Sequence, residues 1–118
     1  PPSTFWNDWT KFPFSCTEWP GRPMGVQVLS LAYRSGAAWN ESAFSNKEFD
    51  DLLDKAVATP DVEARRKLMA RIEQILRDSG VIIQPYWRSV YRSSRQGVYG
   101  CEQHQALEQH FEGAWIED

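Results

Sequence analysis

The sequence is poor in the residues and patterns that most enzymes and membrane proteins need. Its 118 residues include two histidines and two cysteines, with no glycine-rich phosphate loop and no glycine-flanked nucleophilic serine. No apolar run approaches the roughly 18 residues of a membrane-spanning helix. The net charge of -3 provides no basic field for polyphosphate, which argues against nucleic acid as a partner. We therefore expect a soluble, non-catalytic protein that needs no cofactor.

The thiols and the first residue leave the cellular compartment open. Cys16 and Cys101 are compatible with one long-range disulfide formed in an oxidising compartment, and equally with two inert buried thiols. The sequence begins at Pro1, and no charged and apolar leader precedes its first aromatic residues. We expect that any export signal has been removed or lies outside this sequence.

Large aromatic rings are concentrated near the N-terminus. The prolines and glycines between positions 12 and 25 exclude a continuous helix or a central strand there. We expect residues 1–44 to be a loop-rich aromatic segment, with one short helix between Met24 and Tyr33. The six rings of this segment are Phe5, Trp6, Trp9, Phe12, Phe14 and Trp19.

The middle of the chain predicts a helix over 45–58. Ser45 and Glu48 have the spacing of a capping box, and Phe44 and Phe49 flank it as a hydrophobic staple. Apolar residues then recur with helical spacing, which indicates one buried face. They are Phe49, Leu52, Leu53, Ala56 and Val57.

A second helix is predicted over 61–79. Asp61 can accept hydrogen bonds from the first free amides, and Gly80 suits the position just after the last turn. The short link at Pro60 indicates that the two helices form a hairpin spanning 45–80. The apolar face of this second helix comprises Leu68, Met69, Ile72, Ile75 and Leu76.

The region 81–118 is predicted to hold strands and an irregular tail. Residues 81–84 form a run rich in β-branched residues that Pro85 ends, which indicates a short buried strand. Residues 86–92 are expected to continue in extended character, and a polar turn over 93–97 leads to Val98 and Tyr99. The whole chain is thus expected to be one α+β domain, 1–118, in which a helix hairpin packs on a small sheet.

Binding chemistry is better represented than catalysis. Six tryptophans in a chain of this size favour a site for flat or amphipathic solutes. We expect four of them to be structural and Trp19, with Trp39 or Trp9, to face a ligand. Arg22 lies in a rigid Pro-Gly-Arg-Pro loop that can aim its guanidinium at a carboxylate or phosphate, although a merely exposed arginine is an equal alternative.

The tail offers one combination of metal-ligand residue types. His104, Glu108 and His110 are the usual ligands of zinc. On a helix, however, His104 and Glu108 would share a face and His110 would point elsewhere. The sequence therefore predicts no metal site, and a metal-dependent enzyme using these three residues is the least favoured hypothesis.

Several motifs, taken in their order along the chain, resemble the C-terminal part of the extracellular solute-binding proteins of family 5. These proteins serve peptide, opine and nickel ABC importers. The most specific run is Trp39-Asn40 followed by Phe44-Ser45-Asn46-Lys47-Glu48-Phe49-Asp50-Asp51-Leu52-Leu53. The others are Glu18-Trp19-Pro20-Gly21-Arg22-Pro23, Leu29-Ser30-Leu31-Ala32-Tyr33, Ala58-Thr59-Pro60-Asp61, Val81-Ile82-Ile83-Gln84-Pro85-Tyr86 and Gly97-Val98-Tyr99-Gly100. The resemblance covers most of the chain.

The resemblance implies a periplasmic or lipid-anchored receptor, several times longer than this chain, whose two α/β lobes close on a solute and deliver it to an ABC transporter permease. Peptide-binding members commonly carry an acidic residue shortly after the tryptophan matched here by Trp19. Arg22 occupies that neighbourhood instead, which favours an anionic or carboxylate-bearing, opine-like solute over a free peptide amine.

One expectation depends on this interpretation, and one hypothesis competes with it. A C-terminal fragment of such a receptor would leave aromatic and strand surfaces exposed, and self-association is expected to cover them. The competing hypothesis is an independent carbohydrate- or peptide-binding module that uses the same aromatic residues.

Overall fold

The computed structural model describes residues 2–104 and 106–117, which contain helices and a small sheet. The helices are α1 (Pro2–Asp8), α2 (Gly25–Ala32), α3 (Lys47–Val57) and α4 (Val62–Ser79), with a 3-10 turn at Trp9–Lys11 after α1. Strands β1 (Val98–Tyr99) and β2 (Trp115–Ile116) pair antiparallel. This mixed content confirms the α+β class.

The chain divides into two compact units. The first comprises Pro1–Glu18 and Met24–Ile83 and contains all four α-helices. The second comprises Trp19–Pro23 and Gln84–Asp118 and contains the two strands.

Helices α3 and α4 form the predicted hairpin. Capping residues next to the helices determine three of their four ends. Asp61 Oδ1 accepts from the Ala64 amide at 2.7 Å, and Gly80 ends α4 with a φ of 66° in the left-handed region that glycine tolerates. Arg65 Nη1 donates to the Thr59 carbonyl at 2.8 Å and closes the link between the helices. The predicted bounds 61–79 are therefore confirmed to within one residue.

The start of α3 differs from the predicted capping box. The N-cap is Asn46, whose Oδ1 accepts from the Phe49 amide at 3.0 Å. The Ser45 hydroxyl instead accepts a hydrogen bond from Ser35 Oγ, and the Glu48 carboxylate accepts one from Arg71 Nε on α4. The capping box is wrong because asparagine caps a helix as well as serine does, and Asn46 lies one position nearer the helix.

The core of the first unit lies among α2, α3 and α4. Phe49, Leu53 and Ile72 are fully buried, and the Phe44 ring meets the Phe49 ring edge-on at 5.2 Å between centroids. The predicted contact between these two phenylalanines is thus confirmed. Val57 is 57% exposed, contrary to its predicted place on the buried face, because α3 ends at that residue.

The N-terminal segment is more regular than predicted. Residues 2–11 form α1 and the 3-10 turn, since no proline or glycine interrupts them after the first turn. Residues 12–24 hold no helix or strand, as their prolines and glycines require. The α1 rings pack on one another, with Phe5 and Trp6 edge-on at 4.9 Å and Phe5 stacked on Phe12 at 5.8 Å.

The strand predicted at 81–84 is wrong. Residues 81–95 have no regular secondary structure, and Ile83 is 79% exposed. A strand needs a partner for its backbone groups, and the two strands among the described residues pair with each other. The sheet is therefore built from Val98–Tyr99, which follow the predicted polar turn, and from Trp115–Ile116 in the tail.

A glycine and a ring pair support this two-stranded sheet. The Tyr99 and Trp115 rings stack across it at 4.4 Å between centroids. Gly100 has a φ of 71°, and a Cβ at this position would overlap the Gly113 carbonyl, so only glycine fits.

Candidate functional site

The residues predicted to contact ligand are divided between the two units. Trp19 and Arg22 belong to the second unit and Trp39 to the first, so the three do not make one site within either unit. Trp19 is half-buried, while Trp39 is 47% exposed. Arg22 is exposed and makes no hydrogen bond or ion pair with any described residue of its own unit.

The loop that carries Trp39 is held by the residue that follows it. Asn40 Nδ2 donates to the Arg34 carbonyl at 3.1 Å and to the Phe44 carbonyl at 2.7 Å. Its Oδ1 accepts from the Phe44 amide at 3.1 Å and from Ser42 Oγ at 3.1 Å. The Trp39-Asn40 pair thus combines an exposed ring with an amide that fixes the backbone beneath it.

Tryptophan burial differs from the sequence prediction. All six tryptophans lie within the described residues and none is buried, whereas four were expected to be structural. Four of them, Trp6, Trp39, Trp87 and Trp115, are between 47% and 88% exposed. The buried core consists mainly of aliphatic residues and a few Phe and Tyr rings on and beside the helices, and the tryptophans lie outside it. The tryptophans of this chain are therefore all at least partly exposed, and the buried aromatic rings are Phe and Tyr.

Both cysteines carry free thiols. Cys16 is exposed in the first unit, and Cys101 is half-buried in the second, where its Sγ donates to the Tyr99 carbonyl at 3.6 Å. The disulfide remains a prediction for an oxidising compartment.

The tail brings together the three metal-ligand types that the sequence analysis set aside. One ligand atom each from His104, Glu108 and His110 lies within 4.8 Å of the others. Glu108 Oε2 is 3.2 Å from His110 Nε2 and 3.7 Å from His104 Nδ1. The argument that His110 points away from the other two is therefore wrong.

The reason for this convergence is a turn in place of a helix. The Leu107 amide donates to the His104 carbonyl at 3.0 Å, and Leu107 has a φ of 62°. A leucine seldom adopts this left-handed conformation, so no local signal predicted it. After this turn Glu108 Oε2 lies close to both imidazoles, whose rings meet edge-on at 5.2 Å between centroids.

Glutamates on both sides polarise the His110 ring. Hydrogen bonds to Glu108 and then to Glu112 raise the pKa of His110 above its ordinary value. The pKa of Glu112 is lowered, first by its own backbone amide and then by His110. The His110 ring thus lies between two carboxylates, with Nδ1 facing Glu112 and Nε2 facing Glu108.

Two open cavities lie in the second unit, and one of them borders this cluster. One of about 250 Å³ borders Glu108, and another of about 260 Å³ borders Cys101. Arg92 lines both, and its guanidinium lies 4.8 Å from the centre of the Phe111 ring, within the range of a cation–π contact. The first is lined by Arg92, Gln103, Leu107, Glu108 and Gln109, and the second by Arg92, Ser94, Val98, Tyr99, Cys101, Glu102 and Gln103.

No helix in the described part of the chain is both long and apolar enough to cross a membrane. Compared with protein-family models and with curated proteins, the chain has no match.

Proposed function

We propose that this protein captures a small solute without transforming it, as the C-terminal part of an extracellular solute-binding receptor of family 5 that serves an ABC importer. The observation that carries the proposal is the exposure of aromatic rings. Exposed tryptophans supply contact area with few rotatable bonds, which suits a binding surface. Trp39 is the best-placed of them, because Asn40 fixes the loop beneath it.

Arg22 is the proposed polar contact to the solute. Its guanidinium is exposed in a loop that Pro20 and Pro23 stiffen, and it has no partner among the described residues of its own unit. A planar guanidinium suits a carboxylate geometrically, so the solute class is anionic or opine-like, or a peptide held through its carboxylate. Trp19, in the same segment, would stack against the solute.

The location and the partners follow from the same proposal. The receptor would work in the periplasm or outside the cell, with or without a lipid anchor, and would pass its solute to the permease of an ABC transporter. The 118-residue chain alone would bind solute weakly, because a second lobe supplies the remainder of the cleft. Its exposed rings would promote self-association.

A thermal-shift screen of the protein encoded by the complete gene tests the proposal. Peptides, opines, sugars and metal chelates are the solutes to compare, because a ligand at about 100 times its dissociation constant stabilises by about 2.7 kcal/mol. Arg22→Ala is expected to weaken binding of a carboxylate-bearing solute by about 10- to 100-fold, the range of a charge-assisted hydrogen bond.

Arg95→Ala is the matched control, since Arg95 is another exposed arginine of the second unit. Equal loss of affinity in the two variants would point to a general charge effect and remove Arg22 from the site. If no solute stabilises the protein except a sugar whose binding is insensitive to Arg22, the independent carbohydrate-binding module becomes the better hypothesis.

A further inference from the structure

The tail cluster brings together side chains of the types that bind transition-metal ions. It offers two imidazoles and a carboxylate from His104, Glu108 and His110, with the donor atoms within 4.8 Å of one another. Two histidines and one glutamate are a known ligand set for zinc, with a fourth position left for water or another ligand. Magnesium and calcium favour sets of oxygen donors and would not use two imidazoles.

We propose that His104, Glu108 and His110 bind a divalent transition-metal ion of the zinc class. The site belongs to the second unit and uses none of the residues assigned to the solute, which are Trp19, Arg22 and Trp39.

The cluster needs only a small contraction to close around an ion. Metal bonds of about 2.0–2.1 Å in a tetrahedron separate the ligand atoms by about 3.4 Å. Glu108 Oε2 and His110 Nε2 are already 3.2 Å apart, and Glu108 Oε2 and His104 Nδ1 are 3.7 Å apart. The largest separation of 4.8 Å requires a shift of about 1.4 Å, which the exposed Glu108 and His110 side chains achieve by rotation. The half-buried His104 exchanges the hydrogen bond that its Nδ1 accepts from the Ala106 amide at 3.3 Å for a bond to the ion.

Glu112 acts as a positioning residue in this site. Its Oε1 lies 3.2 Å from His110 Nδ1, on the side of the ring opposite Glu108. A carboxylate on the second nitrogen of a metal-bound histidine fixes the tautomer and increases the basicity of the ligating nitrogen. The pair therefore directs His110 Nε2 towards the ion.

An ion can reach this site from solvent. Glu108 lines the open cavity of about 250 Å³, and Glu108 and His110 are both exposed. The cavity leaves room for the water or small donor that completes the coordination. Arg92 on the same cavity wall would favour an anionic donor at that position.

Zinc titration of the full 118-residue chain tests the proposal. Free thiols also bind zinc, so Cys16→Ser and Cys101→Ser are combined in the reference protein, which carries no affinity tag. Zn²⁺ is titrated calorimetrically, and Co²⁺ is titrated in parallel because its visible absorption reports four-coordinate nitrogen and oxygen ligation. We expect one equivalent of Zn²⁺ to bind and a tetrahedral Co²⁺ spectrum to appear.

Variants at two of the proposed ligands and at the positioning residue test the site. His110→Gln and Glu108→Gln are expected to weaken Zn²⁺ binding by more than 100-fold and to remove the tetrahedral Co²⁺ spectrum. Glu112→Gln should weaken binding by about 10- to 100-fold while retaining that spectrum, as expected for a residue that acts through His110. Glu102→Gln removes a nearby exposed carboxylate outside the cluster and should leave affinity unchanged.

The variants lie in the second unit, so near-ultraviolet circular dichroism, to which the stacked Tyr99 and Trp115 rings of that unit contribute, shows whether the second unit of each variant remains folded. The proposal is overturned if the thiol-free reference binds no Zn²⁺, or if it binds Zn²⁺ with an affinity that His110→Gln and Glu108→Gln leave unchanged. Loss of binding confined to those two variants and Glu112→Gln, in folded chains, supports it.

Discussion

Arg71 on α4 donates two hydrogen bonds to the carboxylate of Glu48 on α3, from Nε at 2.8 Å and from Nη2 at 3.0 Å. This two-point contact joins the helices of the hairpin on their solvent side, and it lowers the pKa of Glu48. Both side chains are about half exposed, so water competes with the pair and its contribution to stability is small.

The Glu48–Arg71 pair gives a pH-dependent prediction. The pKa of Glu48 is lower in the folded chain than its ordinary value of 4.5, so the pair stabilises the fold above that value. That contribution is lost as the pH falls through the lowered pKa and Glu48 takes up a proton. Urea unfolding of the wild type and of Glu48→Gln between pH 2 and 7 should show a difference that disappears at the acidic end.

Glu73→Gln removes another exposed carboxylate from the same hairpin and serves as the control. A difference between wild type and Glu48→Gln that stays constant across the whole range would show that the ion pair is not its cause.

The start of α3 gives a second prediction, which separates the observed cap from the expected one. Asn46→Ala removes the oxygen that accepts from the Phe49 amide and should reduce the free energy of unfolding by about 1 kcal/mol. Ser45→Ala removes only an exposed hydroxyl contact with Ser35 and should cost less. Denaturant unfolding measures both variants, and a larger loss for Ser45→Ala would restore the capping box with Ser45 as its first residue.

Tyr33 gives a third prediction, at alkaline pH. Burial, followed by the charge of Glu41, raises the pKa of this phenol from 10.0 to about 12. The neutral, buried Tyr33 phenol therefore contributes to the free energy of unfolding. This contribution is fully present below pH 10 and is lost as the pH rises through about 12. Tyr33→Phe keeps the ring without the ionisable group, so its unfolding free energy should fall less than that of the wild type over this range.

The same substitution at Tyr91, whose ring is 86% exposed, controls for removal of a surface phenol. Parallel pH profiles for the wild type and Tyr33→Phe would contradict the assigned cause.

The sequence predicted a feature correctly when the residues that determine it are close together in the chain, and less well when they are far apart. Helix α4 was predicted to within one residue because Asp61 and Gly80 act on their immediate neighbours. The strand at 81–84 failed because strand formation requires a distant partner that a run of β-branched residues does not reveal.

The tail cluster was missed for a related reason. Its geometry depends on a left-handed turn at Leu107, a residue type that does not signal such a turn. Given only the spacing of the two histidines, a helix was the natural geometry to test, and a helix separates them. The exposure of the tryptophans was likewise unpredictable, because hydrophobicity indicates a preference for burial but not whether a core is available.

The exposed rings give a fourth prediction. Phe14 is 81% exposed and Trp87 is 88% exposed, and apolar surface of this kind promotes association. Sedimentation velocity of the 118-residue chain should show association that increases with concentration, and Phe14→Ser combined with Trp87→Ser should weaken it. A monomer at every concentration, with little binding of an apolar dye, would contradict the proposed self-association.

The most direct test of solute capture is to recover the solute after binding. Protein from the complete gene is incubated with the solute that stabilises it most, the complex is separated from free solute, and the bound molecule is released and identified by mass spectrometry. The account predicts about one equivalent of chemically unchanged solute, with less retained by Arg22→Ala. Recovery of a transformed product, formed in amounts exceeding the protein, would contradict it.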